Sequence, residues 1–373
     1  MQQQIDEALA NEKTDKPLLG WICSYTPEEI ITAAGFIPCR LNSLAQPPAG
    51  PTSSSVLPPN FCPFVRRLFD LAYSGQFKDI YGLVAVYSCD PMRRLTDAWS
   101  LYLNPGFLHR IDVPRRQDHH AEEYFLAQIK SLKKALEMEM GQKITEDDLS
   151  QSIKTLNTTR SLIQFITDKR NQSPYIIKAR DFLSLIQKVQ YLEKCQANAL
   201  LQNTLQELDQ LQISSPSKDD SKPRILVSGN IIEDPDFLDL IEQNGSYVVA
   251  DTVCNYTRQY FGLIETTMDP CRAIARRYLN RPECFRMTNV HNRMQEIVFK
   301  AKESRCHGVI YYCLKFCDLC QSDIPHLSSI LRDEGIPLLI IERESLTEGT
   351  EQVRTRIEAF LEMLRTGTFS SKI

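Results

Sequence analysis

Several things are missing from this 373-residue chain. No stretch approaches the roughly 18 consecutive apolar residues that a membrane span requires, so no membrane segment is expected. The opening Met1-Gln-Gln-Gln-Ile-Asp-Glu has neither a basic leader nor an apolar core, so no secretory signal is expected. Neither the phosphate-cradling loop G-x-x-x-x-G-K-S/T nor the dinucleotide fingerprint G-x-G-x-x-G occurs, which argues against binding ATP or a dinucleotide through those devices. Excess basic charge is absent too. A formal net charge of −4 argues against a nucleic-acid or anionic-membrane surface, since both need a basic footprint. The pairs Arg66-Arg67, Arg93-Arg94 and Arg276-Arg277 read as solvated helix faces. Histidines number six and are scattered; His119-His120 and His326 read as surface or structural residues.

Cysteine, by contrast, is plentiful, at twelve. A chain without an export signal is expected in the reducing cytoplasm, where structural disulfides are rare and grouped thiols more often bind metal. The densest group is Cys313-Leu-Lys-Phe-Cys317-Asp-Leu-Cys320. Its bare spacing matches the cluster triplet of radical S-adenosylmethionine enzymes, but only 53 residues follow Cys320, too few for the barrel those enzymes build after it. A zinc site would be expected to show paired C-x2-C knuckles, and only Cys317/Cys320 has that spacing.

Alternating apolar strands and helices predict an α/β protein with two Rossmann-like, doubly wound parallel sheets and a helical insert. The first α/β domain is assigned to 1–120, with a helix from Pro27 capped by Thr26 and closed by Gly35, a strand at Leu83–Tyr87 and a helix resuming at Pro91. Residues 121–212 show apolar residues at helical spacing and read as about four helices. Residues 213–223, rich in Ser, Pro, Lys and Asp, read as a linker. A second α/β domain is assigned to 224–373, with strands at Arg224–Gly229, Tyr247–Ala250, Gly308–Tyr312 and Ile336–Ile341. Open parallel sheets bind ligands beyond the carboxyl ends of their strands. Cys89, Cys254, Cys313 and Cys317 all fall there by this reading.

Six segments in order carry a resemblance. They are Cys23-Ser-Tyr-Thr-Pro-Glu-Glu-Ile-Ile-Thr-Ala-Ala-Gly-Phe-Ile-Pro38, Phe61-Cys-Pro-Phe-Val-Arg66, Ser88-Cys-Asp-Pro-Met-Arg-Arg94, Arg224-Ile-Leu-Val-Ser-Gly229, Ala250-Asp-Thr-Val-Cys254 and Lys315-Phe-Cys-Asp318. Together they resemble the iron–sulfur subunits of 2-hydroxyacyl-CoA dehydratases and benzoyl-CoA reductases, relatives of the double-cubane-cluster proteins. The resemblance implies one [4Fe-4S] cluster at the domain interface, held by Cys62, Cys89 and Cys317, with one iron open to water or substrate oxygen. It implies cluster-side roles for Ser24 and Glu28, for which helix capping and first-turn charge are equally good explanations. It further implies an acyl-CoA substrate, a radical mechanism, a separate ATP-hydrolysing iron–sulfur activator, and a homologous second subunit or a homodimer. Dehydration and ring reduction both stay open.

Two departures matter. Cys254 is followed by Asn-Tyr-Thr-Arg, where many relatives have a glycine two residues on, and Cys284 stands alone in Arg-Pro-Glu-Cys-Phe-Arg-Met287. One ordinary cluster is therefore expected, with Cys313 and Cys320 as small buried apolar residues. A double-cubane-type reductase of small molecules, and a non-catalytic assembly or electron-relay partner, are the alternatives.

Overall fold

A computed structural model describes residues 16–43, 53–214, 221–344 and 350–367. Two four-stranded, wholly parallel sheets organise it, ordered β2-β1-β3-β4 and β6-β5-β7-β8. The first contains β1 (Leu18–Trp21), β2 (Ile37–Arg40), β3 (Gly82–Tyr87) and β4 (Phe107–Asp112), and the second β5 (Arg224–Gly229), β6 (Tyr247–Asp251), β7 (Gly308–Leu314) and β8 (Leu338–Arg343). The central strands are continuously apolar because helices cover both faces of a parallel sheet; β1 and β7 are buried at every position.

Three helices position the first-sheet side of the site. Helix α1 (Glu28–Ala33) follows β1, α2 (Pro63–Tyr73) precedes β3, and α3 (Asp90–Tyr102) follows β3. Thr26 does not cap α1. Its N–H donates to the Cys23 carbonyl at 2.9 Å, which uses residues 23–26 as a turn and leaves extended Pro27 as the last non-helical residue. Gly35, at φ 88°, ends that helical segment as expected.

Residues 119–214 form four helices: α4 (His119–Met140), α5 (Glu146–Gln172), α6 (Ala179–Val189) and α7 (Lys194–Ser214). They do not build a core of their own. Phe125, Ile129 and Leu132 of α4 pack with Trp21 and Val86 of the first sheet, whereas Phe182 and Ile186 of α6 pack with Ile225 and Ile310 of the second. Helix α5 serves both: Leu149 and Ile153 join the first core, and Leu162, Ile163 and Ile166 the second. Its 27 residues span about 40 Å, enough to tie the sheets together.

The longer helices of the second half are α8 (Pro235–Gln243), α9 (Pro270–Asn280), α10 (Val290–Glu303), α11 (Ile324–Asp333) and α12 (Thr350–Thr366). Helix α9, although it follows β6, packs Ile274 and Tyr278 into the first core. Arg277 on α9 is buried, not solvated: its guanidinium donates to the carbonyls of Gln259, Phe261 and Gly262. Of the expected linker, residues 215–220 lie outside the described residues; α7 runs to Ser214 and Pro223 leads into β5.

Candidate functional site

In each sheet, chain order reverses beside a central strand, between β1 and β3 in the first and between β5 and β7 in the second. Parallel-sheet proteins bind ligands at such switch points, beyond the carboxyl ends. Here the two switch points face one cavity of about 490 Å³. Ile22, Cys23 and Ser24 reach it from the end of β1, and Ser88 and Cys89 from the end of β3. Asn230 and Ile231 reach it from β5, and Phe316 and Cys317 from β7.

Cys62, Cys89 and Cys317 all line this cavity. Each occupies the residue just before a helix: Cys62 before α2, Cys89 before α3, and Cys317 before the single turn Asp318–Gln321. Pro63 at the first helical position and Pro91 at the second fix where those helices begin, and hence where two of the thiols sit. Burial raises the pKa of all three thiols, that of Cys89 to about 12, while backbone amides of the following turns partly oppose it. The backbone of Phe316 is left-handed, at φ 63°, which a side chain adopts only at a cost and which turns the chain into Cys317.

Cys313 and Cys320 do not line the cavity. Cys313 lies inside β7 and not beyond its end, and Cys320 packs beside it, both with 0% exposure in one core with Val309 and Leu327. The cavity does receive three cysteines that the spacing did not single out as ligands: Cys23, Cys254 and Cys284. The strand-end position of Cys254 was legible in the sequence. Cys284 offered no signal, because it arrives from the loop after α9.

Ser24 and Glu28 separate. Ser24 lines the cavity, and its Oγ accepts a hydrogen bond from Arg281 Nη2 at 3.0 Å. Glu28 faces the interior, paired with Lys194 at 2.8 Å and accepting from Gln259 Nε2 at 2.9 Å. Neighbouring Glu29 is paired with Arg160 and accepts from Tyr278 Oη at 3.0 Å.

Among the described residues, no three His, Cys, Asp or Glu side chains converge tightly enough to hold a single metal ion. No histidine lines the cavity. Soft thiol donors spaced around a void fit a polynuclear iron–sulfur group better than a lone hard cation. Buried N–H groups without partners on two cavity-lining residues, Arg40 Nε and Asn230 Nδ2, are consistent with an acceptor-rich guest.

The family profile described as "2-hydroxyglutaryl-CoA dehydratase, D-component" matches residues 23–364. The chain belongs to that family. Among curated relatives of this dehydratase D-component family, the (R)-phenyllactyl-CoA dehydratase beta subunit of Clostridium sporogenes is 26% identical, over 95% of this chain and 93% of its own. A benzoyl-CoA reductase subunit of Thauera aromatica is 22% identical, over 94% and 91%. The (R)-2-hydroxyglutaryl-CoA dehydratase beta subunit of Acidaminococcus fermentans is 23% identical, over 94% and 93%. The D-component match takes in Cys62, Cys89 and Cys317, with the six ordered segments. No helix among the described residues is long and apolar enough to cross a membrane.

Proposed function

We propose that this chain is the cluster-bearing subunit of a cytoplasmic 2-hydroxyacyl-CoA dehydratase or benzoyl-CoA reductase-type enzyme, with Cys62, Cys89 and Cys317 holding a [4Fe-4S] cluster that serves an acyl-CoA thioester. The observation that carries this reading is that three cysteines, distant in sequence and drawn from both sheets, line a single cavity at facing switch points. When bound, such a cluster supplies one electron at low potential and one iron lacking a protein thiolate.

The protein's own groups account for the remainder. The first turns after Cys62, Cys89 and Cys317 direct backbone amides toward the sulfurs, favouring thiolate once metal replaces the proton. Phe64, Met92, Phe285 and Phe316 give the cavity apolar walls that displace water from a reactive acyl group. Ser24 offers a hydroxyl at the wall, oriented by Arg281.

The sequence carries no phosphate-cradling loop, which suits a division of labour in which a separate ATP-hydrolysing iron–sulfur activator delivers the electron. Relatives named as beta subunits support a partner subunit, here proposed to be a homologous second chain, with a second copy of this chain as the other arrangement. Anaerobic purification with iron and acid-labile sulfide counting tests the reading. About four irons per chain are expected for one such cluster. A colourless, iron-free protein overturns it.

A second reading is favoured by one observation: Cys23, Cys254 and Cys284 line the same cavity. Three further thiols suit a double-cubane-type reductase of small molecules, for which counting should return about eight irons per chain.

A further inference from the structure

Arg258 and Arg281 lie behind the wall formed by Cys23, Cys254 and Cys284. Arg258 Nη1 donates to the carbonyl of Glu283 at 3.0 Å, which sets its guanidinium beside Cys284 and Cys254. Arg281 Nη2 donates to Ser24 Oγ at 3.0 Å, next to Cys23, and its guanidinium stacks 4.3 Å from the Tyr25 ring. Both side chains are more than nine-tenths buried, at 7% and 3% residue exposure. Arg258 Nη2 and Arg281 Nε and Nη1 are buried without a hydrogen-bond partner.

Among the other buried cations, Arg160 has Glu29, Arg293 has Asp323 and Lys194 has Glu28, while Arg277 has no ion pair but fills its donors with three backbone carbonyls. Arg258 and Arg281 form no ion pair with a carboxylate among the described residues. A buried cation with unfilled N–H donors and no ion-paired carboxylate is unfavourable, and an anionic, acceptor-rich neighbour would relieve it. The sulfurs of the inner wall are the groups beside these two arginines, and anionic sulfur bound in the cavity would supply the counter-charge.

We infer that Arg258 and Arg281 are positioning residues that hold the inner thiol wall and place positive charge behind it, raising the reduction potential of an anionic iron–sulfur group in the cavity. The inference rests on the cluster reading above. Its sign follows from charge: reduction adds an electron, and a nearby fixed cation favours the more negative state.

EPR-monitored redox titration of the anaerobically prepared full chain tests this. In Arg281→Gln the reduced-to-oxidised ratio at a fixed potential should fall about tenfold, a midpoint about 59 mV more negative for a one-electron couple. Arg281→Lys, which keeps the charge but loses the planar fork, should recover part of the shift. The exposed Arg94→Gln should leave the midpoint in place. Arg258→Gln, which removes the second charge, should move it in the same direction as Arg281→Gln. Iron-loaded variants at both positions with wild-type midpoints overturn this inference alone; an iron-free wild-type protein overturns the cluster reading and the inference with it.

Discussion

Lys194 Nζ lies 2.8 Å from Glu28 Oε2, with side chains only 2% and 5% exposed. The pair joins α7 to the first turn of α1, and Gln259 adds a hydrogen bond from beyond β6. Lys194→Met should therefore leave a buried carboxylate without its cation and lower stability by about 3–5 kcal/mol. The double variant Glu28→Gln/Lys194→Met should be closer to wild type than Lys194→Met. Chemical denaturation of the three proteins measures both, and equal losses in single and double variants contradict the pairing.

The thiols divide by location. Cys62→Ala, Cys89→Ala and Cys317→Ala should each strip or destabilise bound iron, whereas Cys195→Ala, at an exposed position, should not. Cys313→Ala and Cys320→Ala should retain iron and cost about 1 kcal/mol of stability, because both side chains sit in a packed core. If instead the 313 and 320 variants lose iron while Cys62→Ala keeps it, the ligand assignment is wrong.

Asp251, at the end of β6, is 4% exposed, and its Oδ1 accepts from the amides of Val253 and Thr257 at 3.2 Å each. Burial, the largest influence, raises its pKa from 3.8 to about 6. A carboxyl with a raised folded-state pKa binds its proton more tightly folded than unfolded. Stability from this group is thus greatest below the unfolded pKa and falls as pH rises toward 6, by about 3 kcal/mol in total. Asp251→Asn should flatten that portion of the stability-versus-pH curve and be the more stable protein at pH 7. Denaturation midpoints at several pH values between about 4 and 7 provide the check.

Gly229 closes β5 at φ 107°, and an added Cβ would lie 2.1 Å from the Tyr312 carbonyl oxygen. This close approach delivers Asn230 and Ile231 to the cavity wall. Gly229→Ala combines an unfavourable backbone with a clash against a fixed strand, so a loss of about 3 kcal/mol or more is expected. A thermal melt indistinguishable from wild type would count against the tight packing between β5 and β7.

Much of the architecture was legible because its signals are local. The apolar runs at 83–87, 224–229 and 308–312 mark buried parallel strands, and helical periodicity marks the four helices between the sheets. The start of α1 was displaced by one residue because the Cys23–Thr26 turn competes with the cap that Thr-Pro usually signals. Arg277 defeated the reading of solvated pairs, since carbonyls from the loop after β6 surround a side chain that looks exposed in one dimension.

The sequence by itself determined two parallel sheets, a helical connection and cysteines near strand ends, since periodicity, prolines at helix starts and strand composition act within a few residues. It also distinguished Cys317 from its flanking thiols, through the segments it shares with a family. Only the tertiary structure decided that Ser24 meets the cavity while Glu28 turns inward to Lys194, that α5 ties two cores, and that Cys23, Cys254 and Cys284 join the same void. Those outcomes depend on how two sheets face each other and on where buried charges find partners. Both are set by contacts between residues more than a hundred positions apart, as in the pairing of Glu28 with Lys194 and of Ser24 with Arg281.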